Sequence, residues 1–177
     1  MSSRKLKITG NVLFRETQHF RVKWLWMIII CSVLVSIGVT AATAFADKAN
    51  KTDVAIALAF IIPLETGMLY LFYIVKLETV VTMEAVFYRW QPFFKKYSSL
   101  EKQEIEQAKP DKGPPLRYGF HIVPGYGRVN NTGPGKGIRF ILSGGKKIFI
   151  GTQKLNAFQS AVEELLKFSS AKMKTGG

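Results

Sequence analysis

The chain of 177 residues has room for one ordinary domain, or for a smaller domain and a membrane anchor. It carries 25 Lys and Arg against 12 Asp and Glu, a single cysteine and two histidines. One cysteine excludes a disulfide framework and a thiolate metal cluster, and two histidines distant in sequence exclude a His-rich metal site. The composition therefore predicts neither a metal site nor a cofactor.

Two apolar stretches dominate the N-terminal half. Residues 24–45 contain no charged side chain, and residues 54–75 contain only Glu65. An α-helix rises about 1.5 Å per residue, so about 20 apolar residues span the hydrocarbon core of a bilayer. The sequence therefore predicts a two-helix transmembrane hairpin within residues 24–77, integral to the lipid bilayer.

Basic residues are in excess on the outer side of both predicted helices. Residues 1–23 contain six Lys and Arg and one Glu, and residues 76–177 contain 17 Lys and Arg and eight Asp and Glu. The loop 46–53 is balanced, with two residues of each sign. Because cytoplasmic flanks carry the excess of positive charge, we expect a two-pass protein with both termini in the cytoplasm.

Residues 1–23 are predicted to form a basic segment at the cytoplasmic side of the membrane. Two interpretations of its second half remain open: a basic amphipathic helical turn at the level of the headgroups, or a plain extension of the first helix. Both rest on apolar or small residues at helical spacing, namely Leu13, Thr17, Phe20 and Trp24.

Glu65 and Pro63 stand near the middle of the second predicted helix. A carboxyl group is costly at that depth, so it is a candidate functional group. The alternative is structural: Glu65 bonds to Thr40, Thr43 or a backbone carbonyl of the first helix and holds the helix pair or a homo-oligomer together. The sequence leaves both roles open.

From Lys76 onward the pattern becomes β-rich. Residues 103–110 fit a short edge strand or a helix about equally well, and residues 124–137 are predicted to form a glycine-rich loop. The strands are predicted over 77–82 and 85–90, which form a hairpin, and over 93–98, 118–123, 138–142 and 146–150.

A tight hairpin turn is expected before the last strand, and a helix cap is expected after it. Gly144 and Gly145 permit the positive φ angles of a hairpin turn, and Thr152 is placed to act as the helix N-cap. A disordered tail is predicted over 171–177. The helix is predicted over 154–170 from an apolar stripe, namely Leu155, Phe158, Val162, Leu165 and Leu166.

Neither of two Gly-Lys pairs, at 135–136 and 145–146, matches the P-loop pattern. That pattern requires Ser or Thr after the lysine and a glycine five positions before the Gly-Lys glycine. Gly137 and Lys147 follow the two pairs, and Asn130 and Phe140 occupy the upstream positions. The sequence therefore predicts no nucleotide site.

Cationic side chains in the same region are predicted to face anionic lipid headgroups or a membrane-associated protein. Each Lys or Arg near an anionic leaflet contributes about 1 kcal/mol. The alternative is a solvated basic face that keeps the domain soluble. Nucleic acid is not a predicted partner, because no binding motif accompanies the charge. The candidate contacts are Arg128, Lys136, Lys146 and Lys147, with Arg139 nearby.

Three segments in order resemble a family of small bacterial two-helix membrane proteins of uncharacterised function: "FRETQHFR…WLW" (14–26), "AVFYRWQPF" (85–93) and "KKIFIGTQK" (146–154). Residues 135–154 are similar to the final hairpin of bacterial pleckstrin-homology-like (PH-like) domains. The resemblance extends to about residue 166. Two departures are "YGFHIVPGYG" in place of a tryptophan-containing glycine run, and Ala85 where the first hairpin turn would carry glycine.

The resemblance implies an α+β protein of the bacterial inner membrane. The two-helix hairpin would be followed by a PH-like small β-barrel, capped by the C-terminal helix, over residues 78–170. No catalytic residues are implied, and two distant histidines do not assemble a hydrolase triad, so we expect a binding or scaffolding protein and not an enzyme. The rival is an oligomeric transport-type or enzyme-like membrane protein that uses Glu65.

Overall fold

The computed structural model describes residues 8, 10–20, 23–45, 50–114, 118–133 and 135–174. Predictions for the polar start 1–7, for loop residues 46–49 and for tail residues 175–177 lie outside the described residues. The chain divides into two compact units. The helical unit is Arg21–Ile74, and the β unit combines Met1–Phe20 with Val75–Gly177.

The helical unit consists of two long helices. Helix α1 spans Lys23–Ala44 and helix α2 spans Lys51–Ile74. Both are long and apolar enough to cross a membrane. They expose many large apolar side chains, Leu34 and Phe60 among them, as expected of helices that face lipid. The two apolar stretches predicted as helices are confirmed, close to the expected bounds.

Four antiparallel strands form the first sheet of the β unit, in the order β1-β2-β3-β4. The predicted hairpin of 77–82 and 85–90 is confirmed as β2 and β3. The predicted strand over 93–98 is wrong, because the Phe94 N–H donates to the Trp90 carbonyl at 2.7 Å and the chain turns. The strands are β1, Val12–His19; β2, Lys76–Thr82; β3, Ala85–Gln91; and β4, Ser98–Glu101.

Strand β1 differs most from the prediction. The segment expected to be helical pairs with β2 instead, with Arg15 opposite Val80. Its side chains alternate, and Phe14, Glu16 and Gln18 are buried. Polar residues at two of these three inward positions conceal the apolar alternation that identifies a strand. The β unit therefore begins before the helices, and the helical unit is inserted between β1 and β2.

Five strands form the second sheet, in the order β5-β8-β9-β7-β6. All neighbours are antiparallel except β7 and β9, which are parallel. The edge-strand interpretation of 103–110 is confirmed by β5, which a 3-10 turn at Lys102–Glu104 precedes. Strand β7 lies inside the region predicted as a loop. The strands are β5, Ile105–Asp111; β6, Gly119–Val123; β7, Gly127–Asn131; β8, Gly137–Leu142; and β9, Lys147–Gly151.

The expected closed barrel is not formed. Within the described ranges, no strand of one sheet pairs with a strand of the other, and each sheet keeps two edge strands: β1 and β4 in the first, β5 and β6 in the second. The chain crosses between the sheets at the 3-10 turn after β4. The confirmed fold class is therefore α+β, with two open sheets.

Helix α3, Leu155–Lys174, covers the core that the two sheets share. The Phe158 ring stacks on Phe14 of the first sheet at 5.2 Å between centroids and lies 6.3 Å from Phe140 of the second. The predicted stripe is confirmed, because Phe158, Val162 and Leu165 are buried. Residues 171–174, predicted to be disordered, continue the helix.

The predicted Gly-Gly hairpin is confirmed between β8 and β9. Gly144 and Gly145 have φ angles of 92° and 76°, which side chains disfavour. The first hairpin closes without glycine, because the Thr82 hydroxyl accepts the N–H groups of Glu84 and Ala85 at 3.2 and 3.3 Å. This bond pattern accommodates an alanine where the resembled family would carry glycine.

Buried polar groups tie β1 to the end of the β unit. The Gln18 amide donates to the Gly151 carbonyl at 2.8 Å and accepts from the Thr132 hydroxyl at 2.9 Å. Glu16 accepts from the Gln18 amide at 3.1 Å. We call Glu16, Gln18 and these contacts the polar clamp. It joins the segment before the helices to residues more than 110 positions later.

Glu16 also lies at the start of α3. Its carboxylate accepts from the Thr152 hydroxyl at 2.5 Å and from the Gln153 N–H at 3.0 Å. A negative charge at a helix N-terminus is favourable. Thr152 accepts a backbone N–H as expected, that of Lys154, but the helix begins at Leu155. Lys154 rather than Thr152 is therefore the N-cap.

We expect the helical unit to be replaceable by a two-residue turn. The Phe20 N–H donates to the Val75 carbonyl at 3.1 Å, so β1 and β2 end side by side, and Asn-Gly closes such a pair in a type I′ turn. A protein with Asn-Gly in place of residues 21–74 should be monomeric and strand-rich without detergent, by circular dichroism and light scattering. The fragment 78–177, which lacks β1 and exposes the edge of β2, should aggregate. Equal stability of the two would contradict this topology.

The polar clamp should contribute measurably to the free energy of unfolding. In the shortened protein, Gln18→Leu leaves the Gly151 carbonyl and the Thr132 hydroxyl without these bonds in a buried site, so we expect a loss of about 1–3 kcal/mol. Urea unfolding followed by tryptophan fluorescence measures it. Thr17→Val, on the exposed side of the same strand, is the matched control. Equal losses in the two variants would exclude the clamp.

Candidate functional site

A groove of about 560 Å³ opens between the two sheets of the β unit. On one side it is lined by Ser98 and Ser99 of the edge strand β4, and on the other by Ile122 of the edge strand β6. Buried side chains form part of its lining, Leu100 and Ile148 among them. The two sheets are not paired with each other, and the gap between them forms a concave surface.

Three of the four predicted contact residues converge on this groove. Arg128, Lys146 and Lys147 line it, and all three are exposed. Among the described residues that line it, Glu104 is the one carboxylate, so their formal charge is +2. We call the cavity lined by these residues and by Ser98 and Ser99 the basic groove.

Close approach of β7 to β9 brings Arg128 to the two lysines. Arg128 lies opposite Ile148 in the parallel pair, next to Lys147. A Cβ on Gly127 would lie 2.0 Å from the Lys147 carbonyl oxygen, so only glycine fits at this crossing. The Arg128 guanidinium lies over the Phe120 ring, 5.5 Å from its centroid, a cation–π contact that limits its freedom.

The other two predicted cations lie elsewhere. Lys136 precedes β8, whose far end meets the Gly-Gly turn, and it does not line the groove. Because β8 is six residues long, Lys136 at its start is about 20 Å from the Gly-Gly turn at its end. Arg139 is paired, with its Nε 3.3 Å from Asp111 Oδ2 and its guanidinium over the Tyr126 ring. The basic groove therefore contains part of the predicted set.

Glu65 is hydrogen-bonded inside the helical unit. The Ser36 hydroxyl donates to Glu65 Oε1 at 2.8 Å, and the Ser32 hydroxyl lies at 3.5 Å. The predicted threonine partners are wrong, because the Thr43 hydroxyl donates to carbonyls of its own helix. The missed signal is the four-residue spacing of Ser32 and Ser36, which places both on one face of α1.

Sequence reasoning also missed a polar cluster on the first sheet. Arg89 Nε and the Tyr97 hydroxyl both donate to Glu78 Oε2, at 2.6 and 2.7 Å. The Arg89 guanidinium also lies over the Tyr97 ring, 4.3 Å from its centroid. Glu78 and Arg89 are directly opposite in the β2–β3 hairpin. Pairing the two predicted strands in register would therefore have placed these opposite charges side by side.

These contacts shift two pKa values in opposite directions. Burial acts to raise the pKa of Glu78, but the hydrogen bonds from Arg89 and Tyr97 and the Arg89 charge outweigh it and lower the pKa. Burial and the bond to Glu78 raise the pKa of Tyr97. The cluster is therefore held as a carboxylate and a neutral phenol. Its groups are engaged with one another, which favours a structural role.

No protein-family model, curated protein or solved structure matches the chain. The resemblance to two-helix bacterial proteins with a PH-like domain thus stays a prediction. Among the described residues, no group of three or more His, Cys, Asp or Glu side chains could hold a metal ion. The groove and the charges around it are therefore the features of the β unit that bear on function.

The Glu78 cluster should make stability depend on pH at both extremes. Because the pKa of Glu78 is lowered, its contribution is present above the ordinary carboxyl value of 4.5 and is lost as the pH falls below it. Because the pKa of Tyr97 is raised, its contribution is present below 10.0 and is lost as the pH rises further. Tyr97→Phe keeps the ring under Arg89 but removes one donor, so the pKa of Glu78 is lowered less and the stability lost on acidification should be smaller than in the unaltered protein. Urea unfolding across the acid range measures this, and an unchanged pH profile would contradict it.

Proposed function

We propose that the protein is a membrane-anchored binding module that takes the anionic headgroup of a lipid into the basic groove. The observation that supports this most directly is the convergence of Arg128, Lys146 and Lys147 on one groove. In this proposal α1 and α2 cross the membrane, and the β unit lies on the cytoplasmic side. The resemblance to bacterial two-helix proteins with PH-like domains supports the bacterial inner membrane as that membrane.

The chemistry of the groove suits a phosphate group. A guanidinium can bind two phosphate oxygens at once, and ammonium groups add charge without strict geometry. The hydroxyls of Ser98 and Ser99 offer further donors. Because buried residues such as Leu100 form part of the lining, water is partly excluded there, and charge interactions are stronger than in bulk water.

The membrane anchor favours a lipid over other anions. A domain tethered to a bilayer meets headgroups at a high effective concentration, so weak individual contacts suffice. An acidic segment of a membrane-associated protein offers the same charges and is the alternative partner in this proposal. The rival function, with Glu65 as a reacting group, has less support, because Ser36 and Ser32 engage the carboxylate within the helix pair. The proposed module binds its ligand without catalysing a reaction.

The groove cations should determine lipid selectivity. Full-length protein in mild detergent is titrated with dioctanoyl-phosphatidylglycerol and, separately, with dioctanoyl-phosphatidylcholine, by microscale thermophoresis. We expect tighter binding of the anionic lipid, weakened by salt. Reversing both Arg128 and Lys147 to Glu should weaken it at least about tenfold, since each lost cation is worth about 1 kcal/mol.

Lys136→Glu is the control, because it reverses one charge at an exposed lysine outside the groove, and Lys147→Glu alone is the groove variant matched to it. The control should leave the affinity almost unchanged. Equal losses in the control and in the groove variant would indicate a diffuse basic face and not a site. Equal affinity for the two lipids in the unaltered protein would exclude the headgroup version. Competition by inorganic phosphate would show whether the phosphate alone is recognised.

A further inference from the structure

The β unit joins the two helices at one end of its first sheet. The Phe20 N–H donates to the Val75 carbonyl, so the end of β1 lies beside the start of β2. On β3, Gln91 lies opposite Lys76, the second residue after α2. Paired residues of adjacent strands lie about 5 Å apart. The loop that follows Gln91 is therefore next to the points where the chain leaves for the helices.

Exposed apolar side chains gather beside that loop. Phe93 and Phe94 follow Pro92 in the loop after β3, and the Phe94 ring meets Phe120 of β6 edge to face at 5.8 Å between centroids. Ile122 continues the surface along the same strand. These four residues, which we call the aromatic rim, are 46% to 78% exposed. A cluster of exposed aromatic and aliphatic groups on a domain surface marks an interaction site.

Cations surround the aromatic rim. Lys95 and Lys96 follow Phe94 directly and are exposed, and Arg128 lies over the Phe120 ring. Ile122 also lines the basic groove, so the rim and the groove are continuous. Aromatic side chains flanked by Lys and Arg are typical of surfaces that lie in the bilayer interface, with rings among the acyl chains and cations among the headgroups.

We infer that the aromatic rim is a second membrane contact, which inserts into the interface of the bilayer that α1 and α2 cross. Chain connectivity supports this occupant over a protein partner, because Gln91, two residues before Phe93, lies opposite Lys76, where the chain has just left α2. The charges around it complement an anionic leaflet. This inference rests on the membrane anchoring proposed above, but it does not depend on headgroup binding in the basic groove.

Spin labelling of the full chain tests the inference. The native thiol is removed by Cys31→Ala, and single nitroxide labels are attached after Phe94→Cys or Ile122→Cys, each at an exposed position. The protein is reconstituted in vesicles of phosphatidylcholine and phosphatidylglycerol. We expect both labels to be more accessible to oxygen, and less accessible to a water-soluble nickel chelate, than a label in water. Labels at both positions that behave as in water would overturn the inference.

Two further labels make each outcome decisive. Glu84→Cys places a label at the exposed turn at the other end of the same sheet and should report water. Leu34→Cys places one on the exposed surface of α1 and should report lipid. If the Leu34 label also reports water, the anchor is wrong and both proposals fail. If rim labels report lipid while the groove variants bind the anionic lipid normally, the rim contact stands and the groove assignment fails.

Discussion

The pairing of β1 with β2 is the interaction on which the rest of the structure depends. These strands are separated in sequence by the whole helical unit, yet His19 lies opposite Lys76 and the ladder extends to the Phe20–Val75 bond. Closing so long a connection is costly in chain entropy, but the cost grows only slowly with length. Two stable helices between the strands reduce it further, because their backbones are already ordered. The helical unit is thus an insertion in a β-hairpin, not a separate anchor ahead of a domain.

The polar clamp makes this pairing specific. A strand with Phe14 as its one fully apolar inward residue would bind the sheet weakly by burial alone. Glu16 and Gln18 instead bond to the Gly151–Gln153 segment and Thr132, as well as to each other. A slip of one residue would move both polar side chains to the other face and leave those partners unbonded. The first strand, the last strand and the start of α3 therefore depend on one another.

Elements set by local composition were predictable, and those set by distant partners were not. The apolar stretches, the β2–β3 hairpin, the Gly-Gly turn and the α3 stripe each follow from residues adjacent in sequence. Strand β7 reads as a loop because Asn130 and Asn131 are rare in strand interiors. Asn130 is nevertheless buried, and its Oδ1 accepts the Trp90 indole N–H at 3.1 Å across the two sheets. That bond exists only after both sheets have formed.

The candidate site, too, was predictable only as far as local sequence determines it. Its cations were identifiable from the sequence, but their grouping required the parallel pairing of β7 with β9, which a Cβ at position 127 would prevent. The same pairing brings β6 and its exposed Phe120 beside Arg128. The groove and the aromatic rim share Ile122 of the edge strand β6, so they form one continuous surface. Ser98 and Ser99 of the edge strand β4 line the same groove, so both proposed contacts lie at edge strands of the two open sheets.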